Sequence, residues 1–251
     1  MMTTAFVREL QEAGRIDDRI ATFFHDFSIG TLLNKAGIKK LRGASPLALF
    51  AAIFLLPFKG ANFYRGIVKN DALGFKKDAA YARLRNPRHN WRSFLLSIAR
   101  PLVRFLETLT GERREKVFVI DDTLYDRHRS KKVELLSWGY DHTTGRCLKG
   151  FKMLTLGRHD GVSFVPLDFV LCAATDPSKR VCGITKEMHH RSCGARRRQE
   201  ALRKATELLL PLLKRAKALG IWADYLLMDR WFAFPSVPAG LHELLPVICR
   251  A

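Results

Sequence analysis

The sequence is poor in cysteine, and its cysteines are not spaced to form a scaffold. It has five, an odd number, and no two of them form a Cys-x-x-Cys pair. Neither a disulfide-stabilised secreted fold nor a zinc ribbon is therefore indicated. The first residues, MMTTAFVRELQEAG, also carry charges where a signal peptide needs an apolar segment. We therefore expect a cytoplasmic protein.

Long hydrophobic runs and glycine-rich phosphate loops are also missing. The longest apolar run, from Leu47 to Phe58, contains Pro57 and covers 12 residues, whereas a helix needs about 20 to cross a bilayer. The run predicts a buried helix that Ser45 and Pro46 open, with a membrane segment as the weaker alternative. Because no phosphate loop of the nucleotide-binding type is present, no nucleotide cofactor is expected.

Acidic residues are scarce relative to basic ones. The chain has 43 Lys and Arg against 24 Asp and Glu, a net charge of +19 with His neutral. This excess is spread along the chain rather than confined to a tail. Such a cationic surface favours a polyanionic partner, because neutralised phosphates release their condensed counterions. Nucleic acid is therefore the first expected partner, which predicts association with the nucleoid, and a membrane surface is the second.

The pattern of apolar residues divides the chain into two parts. Residues 1–110 show apolar positions at helical spacing, for example Phe23 and Phe27 and the face from Trp91 to Leu106. The charged stretch after Gly111 interrupts this pattern, and short apolar runs follow it. The sequence therefore predicts an all-α N-terminal domain over residues 1–110, a candidate for DNA binding, and a second domain over residues 115–251.

The second part contains five short runs with the composition of β-strands. VFVID is a continuous apolar run that suits a central strand covered on both faces. The strand candidates are residues 117–121, 151–157, 163–172, 224–229 and 246–249, with a long helix at 196–218, containing Pro211, and a short helix at 237–245. This order predicts an α/β domain with a mixed five-stranded sheet and flanking helices.

Two of the predicted strands end in aspartate. Asp121 follows VFVI, and Asp229 follows YLLM. Ligand sites of open sheets form beyond the carboxyl ends of strands, and adjacent strands lie about 4.7–4.9 Å apart. If the two strands are parallel neighbours, both carboxylates reach one cation, and hard oxygen ligands favour Mg²⁺. Either aspartate alone is explained as a turn cap, but the pair and the net charge together favour a metal site for phosphodiester chemistry.

The residues around these two aspartates resemble a known family. The stretch from Val117 to Leu171, which opens with VFVIDDT, and the later YLLMDRWFAFP resemble insertion-sequence DDE transposases of the cut-and-paste type. The resemblance covers roughly residues 115–250 and implies a ribonuclease H-like catalytic core. It matches the first catalytic aspartate, followed two residues later by Thr123, to Asp121 and the second to Asp229. Both are implied metal ligands, and Asp122 is the rival for the first position.

The resemblance also implies an activity and its partners. Mg²⁺, or alternatively Mn²⁺, would promote cleavage of a transposon-end phosphodiester, and the resulting 3′-hydroxyl would attack target DNA. The implied partners are double-stranded DNA at the transposon ends and at the target, and a homodimer in a synaptic complex is left open. A recombinase mechanism through Tyr125 or Tyr140 is a rival, but neither tyrosine needs more than a packing or phosphate-contact role.

One element of the family's pattern is missing from the sequence. Family members complete the acidic triad with a glutamate in a Tyr-x-x-Arg-x-x-x-Glu-x-x-x-x-x-x-Lys signature, and no such run occurs here. After Asp229 the only acidic residue is Glu243, in the helix predicted before the last strand, and the sequence ends at Ala251. We therefore expect a truncated or frame-disrupted transposase. The alternative is a non-catalytic DNA-binding remnant that occupies element ends or inhibits intact transposase.

Basic residues cluster near the predicted carboxylates. The sequence predicts DNA contacts by Arg127, Arg129, Lys131, Lys132, Arg196, Arg197, Arg198 and Arg230. The arginines at 196–198 open a predicted helix, whose positive dipole end attracts phosphate. A solvated run of charges is the ordinary alternative for each of these groups.

Two further groups of residues are weaker candidates. His189 and His190 with Cys182 and Cys193 suggest a metal cluster, but their spacing matches no standard zinc pattern. The pair Asp141-His142 suggests acid–base chemistry, but a turn before Thr143 explains it equally well.

Overall fold

The computed structural model describes residues 15–40, 43–69, 73, 75–110, 114–141, 144–185, 187–234 and 236–249. The chain forms two compact units, Met1–Phe94 and Leu95–Ala251. They divide inside the helix Trp91–Leu109, whereas the boundary expected at Gly111 lies outside the described residues.

The described part of the first unit is built from helices packed through aromatic rings. The helices are α1 (Arg15–Asp26), α2 (Ile29–Lys35), α3 (Pro46–Leu55), a π-helical turn (Tyr64–Val68), α4 (Lys77–Leu84) and the start of α5 (Trp91–Leu109). Ring centres of Phe24 and Phe50 are 5.7 Å apart, and those of Phe50 and Phe94 are 5.0 Å apart. The predicted helix at the Leu47 run is α3, which begins at Pro46 after Ser45.

The second unit contains a six-stranded mixed sheet. Its strands are β1 (Val117–Asp126), β2 (Ser137–Asp141), β3 (Arg146–His159), β4 (Phe164–Cys172), β5 (Tyr225–Met228) and β6 (Val247–Cys249). The order is β2-β3-β1-β5-β6, and β4 also pairs with β3. β1 is antiparallel to β3 and parallel to β5, which is parallel to β6. The strand that contains Asp121 and the strand that precedes Asp229 are therefore parallel neighbours. The prediction that the first strand ends at Asp121 was wrong, because pairing with β3 continues β1 to Asp126.

The prediction of five strands was wrong because it missed β2. This strand reads SWGYD. Trp138 and Tyr140 favour a strand, but Gly139 at its centre and Asp141 disfavour one, so the strand signal is weak. It forms by pairing with the first residues of β3, from Ser137 opposite Gly150 to Asp141 opposite Arg146. As a result β3 begins at Arg146 and is longer than the predicted 151–157.

The single helix predicted over residues 196–218 was also wrong, because two helices occupy this region. They are α6 (Cys193–Ala201) and α7 (Ala205–Ala218), separated where Lys204 takes an extended conformation. Pro211 lies inside α7 and has no N–H to donate to the carbonyl of Glu207. Arg203 lies in the break before α7, and its side chain donates to that carbonyl instead, at 3.2 Å. This hydrogen bond replaces the one that Pro211 cannot make.

The two faces of the sheet have different environments. Phe118 and Ile120 of β1 point into the main core, which α7 covers. That core also contains Leu154, Leu156, Val170, Leu208, Leu209, Leu212, Leu213, Leu226 and Met228. Since alternate residues of a strand point to opposite faces, Asp121 and Thr123 lie on the other face, and both are exposed. We call this second face the open face. Part of it is covered, because Phe151, which lies opposite Tyr125, packs there in a second core cluster with Leu135, Leu136, Ala173 and Ala201.

Gly150 provides a stability test of the β1–β3–β2 pairing. A Cβ atom at this position would overlap the backbone carbonyl oxygen of Tyr125 and lie 3.0 Å from its carbonyl carbon. We expect Gly150→Ala to lower the free energy of unfolding by about 3 kcal/mol, at the upper end of the range for overpacked sites. The loss should be large because the clashing atoms belong to the backbone, which cannot move aside as a side chain can. Urea denaturation measures the change. Gly183→Ala, where a Cβ meets nothing within 4 Å, is the matched control and should change stability by less than about 1 kcal/mol.

Candidate active site

Asp121 and Asp229 lie side by side on the open face. In the parallel pair of β1 and β5, Val119 is opposite Leu227 and Ile120 is opposite Met228. The next residues in this register are Asp121 and Asp229. Paired residues of neighbouring strands project to the same side, so the two carboxylates share one edge and one face. Both residues are exposed, which leaves them accessible to a substrate.

The electrostatics of the pair favour a bound cation. Although Asp121 reaches solvent, partial burial of its carboxyl group raises its pKa, and the negative charges of Asp122 and Asp229 raise it further. The backbone N–H of Asp122 donates to Asp121 Oδ1 at 2.8 Å and acts in the opposite direction. Repulsion between neighbouring carboxylates is relieved when a cation binds between them. Two accessible carboxylates also suit a hard divalent ion, which keeps several waters and needs one or two protein carboxylates.

Asp122, the rival for the first position, lies on the opposite face of the sheet. Its Oδ2 accepts a hydrogen bond from Lys152 Nζ at 3.1 Å, and the ion pair is half-buried. Lys152 Nζ also lies 5.7 Å from the ring centre of Trp231. Asp122 is opposite Leu154 in the β1–β3 register, on the side of the core. It contributes charge near Asp121, but its carboxylate is held by Lys152.

No third acidic side chain joins the pair within the described residues. Across this part of the chain, no group of three or more His, Cys, Asp or Glu side chains is placed to hold a metal ion. Glu243 follows helix α8 (Ser236–His242) and belongs to no such group. His189 and His190, whose rings stack 4.8 Å apart, also belong to no such group, and neither do Cys182 and Cys193. His142 lies outside the described residues.

One of the predicted basic residues lies on the open face in the same row as Asp121. Asp121 is opposite Thr155, and Thr155 is opposite Phe169. The guanidinium carbon of Arg197 lies 5.1 Å from the ring centre of Phe169. Because adjacent strands are about 4.8 Å apart, this ring is roughly 10 Å from the backbone of Asp121. Helix α6 therefore carries a cation beside the carboxylate pair.

The other predicted basic residues divide into exposed and internally paired ones. Exposed side chains are those of Arg127, Arg129, Lys131, Lys132, Arg196 and Arg230. Arg127 lies over the ring of Tyr125, with its guanidinium carbon 4.2 Å from the ring centre. Arg198 is different, because its Nε donates to Glu134 Oε2 at 2.6 Å in a largely buried ion pair. Arg198 thus anchors α6 to the loop before β2.

Several residues that shape the site gave no signal in the sequence. Lys152, Thr155 and Phe169 stand next to the carboxylates or in their row only because of the strand register. Glu134, which holds Arg198, is 64 residues away along the chain. A charged lysine inside the otherwise apolar run FKMLTLG was the one visible signal for Lys152.

Over the described part of the chain, every helix is too short or too polar to span a bilayer. The second unit is a mixed α/β domain in which Asp121 of β1 and Asp229, directly after β5, lie on neighbouring parallel strands. Residues 76–247 match the family described as DDE superfamily endonuclease, and the chain belongs to this family. Enzymes of this family act on DNA and typically use divalent metals. Comparison with curated proteins gave no match.

Proposed function

We propose that the chain is a DNA transposase of an insertion sequence, in which Asp121 and Asp229 form the metal-binding centre for phosphodiester cleavage and strand transfer. The observation that carries this proposal is the parallel register that sets the two carboxylates side by side on an exposed face. The family membership and the net charge of +19 agree with a DNA substrate.

We also infer a ribonuclease H-like core for residues 115–251, preceded by a helical DNA-binding domain over residues 1–110. Three antiparallel strands, β1, β3 and β4, followed by two parallel strands, β5 and β6, support this inference. In this interpretation β2 is an additional strand that extends the sheet beyond the site. Further elements of the proposal are a homodimer in the synaptic complex and a location at the nucleoid in the cytoplasm.

Asp121 and Asp229 would hold Mg²⁺, with Mn²⁺ as the alternative ion. When bound, the ion supplies Lewis-acid chemistry, which stabilises charge on the phosphate oxygens and lowers the pKa of water. The protein's own contribution is to fix two carboxylates on rigid strands and to orient the DNA backbone. Arg197 beside the pair and Arg230 directly after Asp229 are the cations that we assign to the phosphates nearest the reaction.

The DNA path extends from the carboxylates to the exposed basic residues. We assign Arg196 and Arg197 on α6 and the loop cations Arg127, Arg129, Lys131 and Lys132 to phosphate contacts. Arg198 is left out of this set, because Glu134 neutralises it. Contacts of this kind bind without regard to sequence and depend strongly on salt concentration.

The phosphate contacts can be counted through the salt dependence of binding. We expect Arg196→Ala and Arg197→Ala each to weaken binding of duplex DNA and to reduce the slope of log K against log[salt] by about one unit. Fluorescence anisotropy at several salt concentrations measures both quantities. Lys214→Ala is the control, since this exposed lysine is on α7, which covers the opposite face of the sheet. An equal loss of slope in the control would remove α6 from the proposed DNA path.

A second candidate function is DNA binding without cleavage. It is favoured by the absence of a third acidic side chain at the pair within the described residues. Such a chain would occupy element ends and inhibit an intact transposase. Incubation of the purified chain with supercoiled DNA, in Mg²⁺ and in EDTA, separates the two functions. Metal-dependent nicking supports the transposase, whereas binding without nicking supports the second candidate.

A further inference from the structure

The open face continues from Asp121 into a surface of exposed aromatic and basic side chains. We call it the ribbon surface and define it by Tyr125, Arg127, Trp138, Tyr140 and Lys149. Trp138 is 51% exposed, Tyr140 is 49% exposed and Tyr125 is 42% exposed. Large aromatic side chains on a sheet are ordinarily buried against a core, so three exposed ones on neighbouring strands mark a candidate binding surface.

The strand register brings these five residues onto one face. Tyr125 and Arg127 follow Asp121 at alternate positions. The backbone N–H of Arg127 donates to the carbonyl of Lys149 at 2.8 Å, and Lys149 is opposite Trp138 in the β2–β3 pair. Arg127, Lys149 and Trp138 therefore form a row across three strands, on the same face as Asp121.

The residues between them point to the opposite face, as the alternation requires. Ser137 is 4% exposed, and its hydroxyl accepts a hydrogen bond from the backbone N–H of Ala174 at 3.0 Å. A Cβ at Gly139 would meet the side chain of Leu124 at 3.1 Å. On the core side of the ribbon, Ser137, Gly139 and Leu124 line a pocket of about 300 Å³, and the aromatic side chains project to the open side.

The chemistry of the ribbon surface suits unpaired nucleotides. Flat rings stack on bases without regard to sequence, and adjacent cations contact the phosphates. The guanidinium carbon of Arg127 lies 4.2 Å from the ring centre of Tyr125, and Nη2 of Arg127 donates to the Tyr125 hydroxyl, so a cation for a phosphate is held beside an exposed ring. The nearby acidic groups are engaged elsewhere: Asp126 accepts from His128 and Asp141 accepts from Thr144, each at 2.7 Å.

The distance to the carboxylates fits a DNA strand that crosses both sites. Arg127 follows Asp121 by six residues along an extended strand, which corresponds to roughly 20 Å at 3.3–3.4 Å per residue. The same length spans about six nucleotides of a strand with B-form rise. A single strand bound on the ribbon surface would therefore lead to the scissile phosphate at Asp121 and Asp229.

We propose that the ribbon surface binds single-stranded DNA adjacent to the cleavage site, with bases stacked on Trp138 and Tyr140 and phosphates held by Arg127 and Lys149. The proposal rests on the proposed function for its substrate, but it assigns a role to β2 that cleavage itself does not require. It also gives Tyr125 and Tyr140 a binding role in place of a nucleophilic one.

The test measures binding of a fluorescent single-stranded oligonucleotide by the full chain in EDTA, so that cleavage does not contribute. We expect Trp138→Ala to weaken this binding by about 5- to 100-fold, from the usual contribution of one stacked base. Tyr140→Ala should have a similar effect, whereas Trp138→Phe should keep most of the affinity because a ring remains. Circular dichroism shows whether each variant is folded.

Trp222→Ala is the matched control, because Trp222 is 59% exposed but precedes β5 outside the ribbon surface. It should bind as the unchanged chain does. Wild-type affinity in both Trp138→Ala and Tyr140→Ala, with DNA still bound, would overturn the ribbon surface and leave the proposed function standing. If the unchanged chain bound neither single-stranded nor duplex DNA, both proposals would fail. Equal weakening by Trp222→Ala would also overturn the assignment.

Discussion

Asp229→Asn is expected to reduce Mg²⁺-dependent nicking of supercoiled DNA by more than about 100-fold, while binding of DNA persists. The asparagine keeps the size of the side chain but removes the charge that a divalent ion needs. Changing a group that only orients a metal ligand typically lowers metal affinity or activity 10- to 100-fold. Loss of a ligand itself should therefore lower activity by more than this. Gel assays of nicking and anisotropy measurements of binding report the two quantities separately.

Asp121→Asn and Asp122→Asn sharpen this prediction, because they compare adjacent residues on opposite faces of one strand. Asp121 faces Asp229 and should behave as Asp229 does. Asp122 is paired with Lys152 at 3.1 Å, and its replacement should reduce nicking much less. If Asp122→Asn abolished nicking and Asp121→Asn did not, the first metal ligand would have to be reassigned. Unchanged nicking by Asp229→Asn would exclude Asp229 from the mechanism.

A large effect on stability, similar to that expected for Gly150→Ala, should come from the ion pair between Asp168 and Arg215. Asp168 is fully buried in β4, and its Oδ2 accepts from Arg215 Nε at 2.6 Å. Arg215→Ala removes the guanidinium that faces a buried carboxylate. We expect the free energy of unfolding to fall by about 3 kcal/mol, which is the lower end of the range for a buried ion pair that loses one partner. The lower end applies because the arginine side chain is 29% exposed. Urea denaturation measures the loss.

Two comparisons show whether this loss comes from the buried charge. Arg203→Ala breaks an ion pair whose side chains are about half exposed, together with an exposed hydrogen bond to the Glu207 carbonyl, and should cost about 1 kcal/mol. The double variant Asp168→Leu with Arg215→Met removes the buried pair. It should recover part of the stability, because Glu200, whose Oε1 lies 3.4 Å from Arg215 Nη2, still loses its cation. If Arg215→Ala cost no more than Arg203→Ala, the pair would contribute little to the fold.

The paired aspartates could be predicted because they depend on local signals. A continuous apolar run followed by a carboxylate marks the strand, as in VFVID and YLLMD. It marks the end of the strand only at Asp229, because β1 continues beyond Asp121 to Asp126. What the sequence left open was whether these strands are neighbours, and the parallel pairing of β1 with β5 answers that question. The charge excess likewise depends on composition alone.

The features that the sequence did not predict depend on contacts between distant residues. β2 exists because Ser137–Asp141 pairs with the first residues of β3. Its own composition is ambiguous, since Trp138 and Tyr140 favour a strand whereas Gly139 and Asp141 favour a turn. Arg198 looked like a DNA-binding residue among its neighbours, but a glutamate 64 residues away neutralises it. The split between α6 and α7 contains neither glycine nor proline, so no helix-breaking residue marked it.

The most direct measurement is the position of Mn²⁺ in crystals of the full chain, located by its anomalous scattering. We predict a peak between Asp121 and Asp229, with carboxylate oxygens of both residues within about 2.0–2.3 Å, as hard divalent ions require. This peak should vanish in Asp229→Asn. A peak at Asp122 instead, or no peak between the two aspartates at millimolar Mn²⁺, would contradict the proposal that they share a cation.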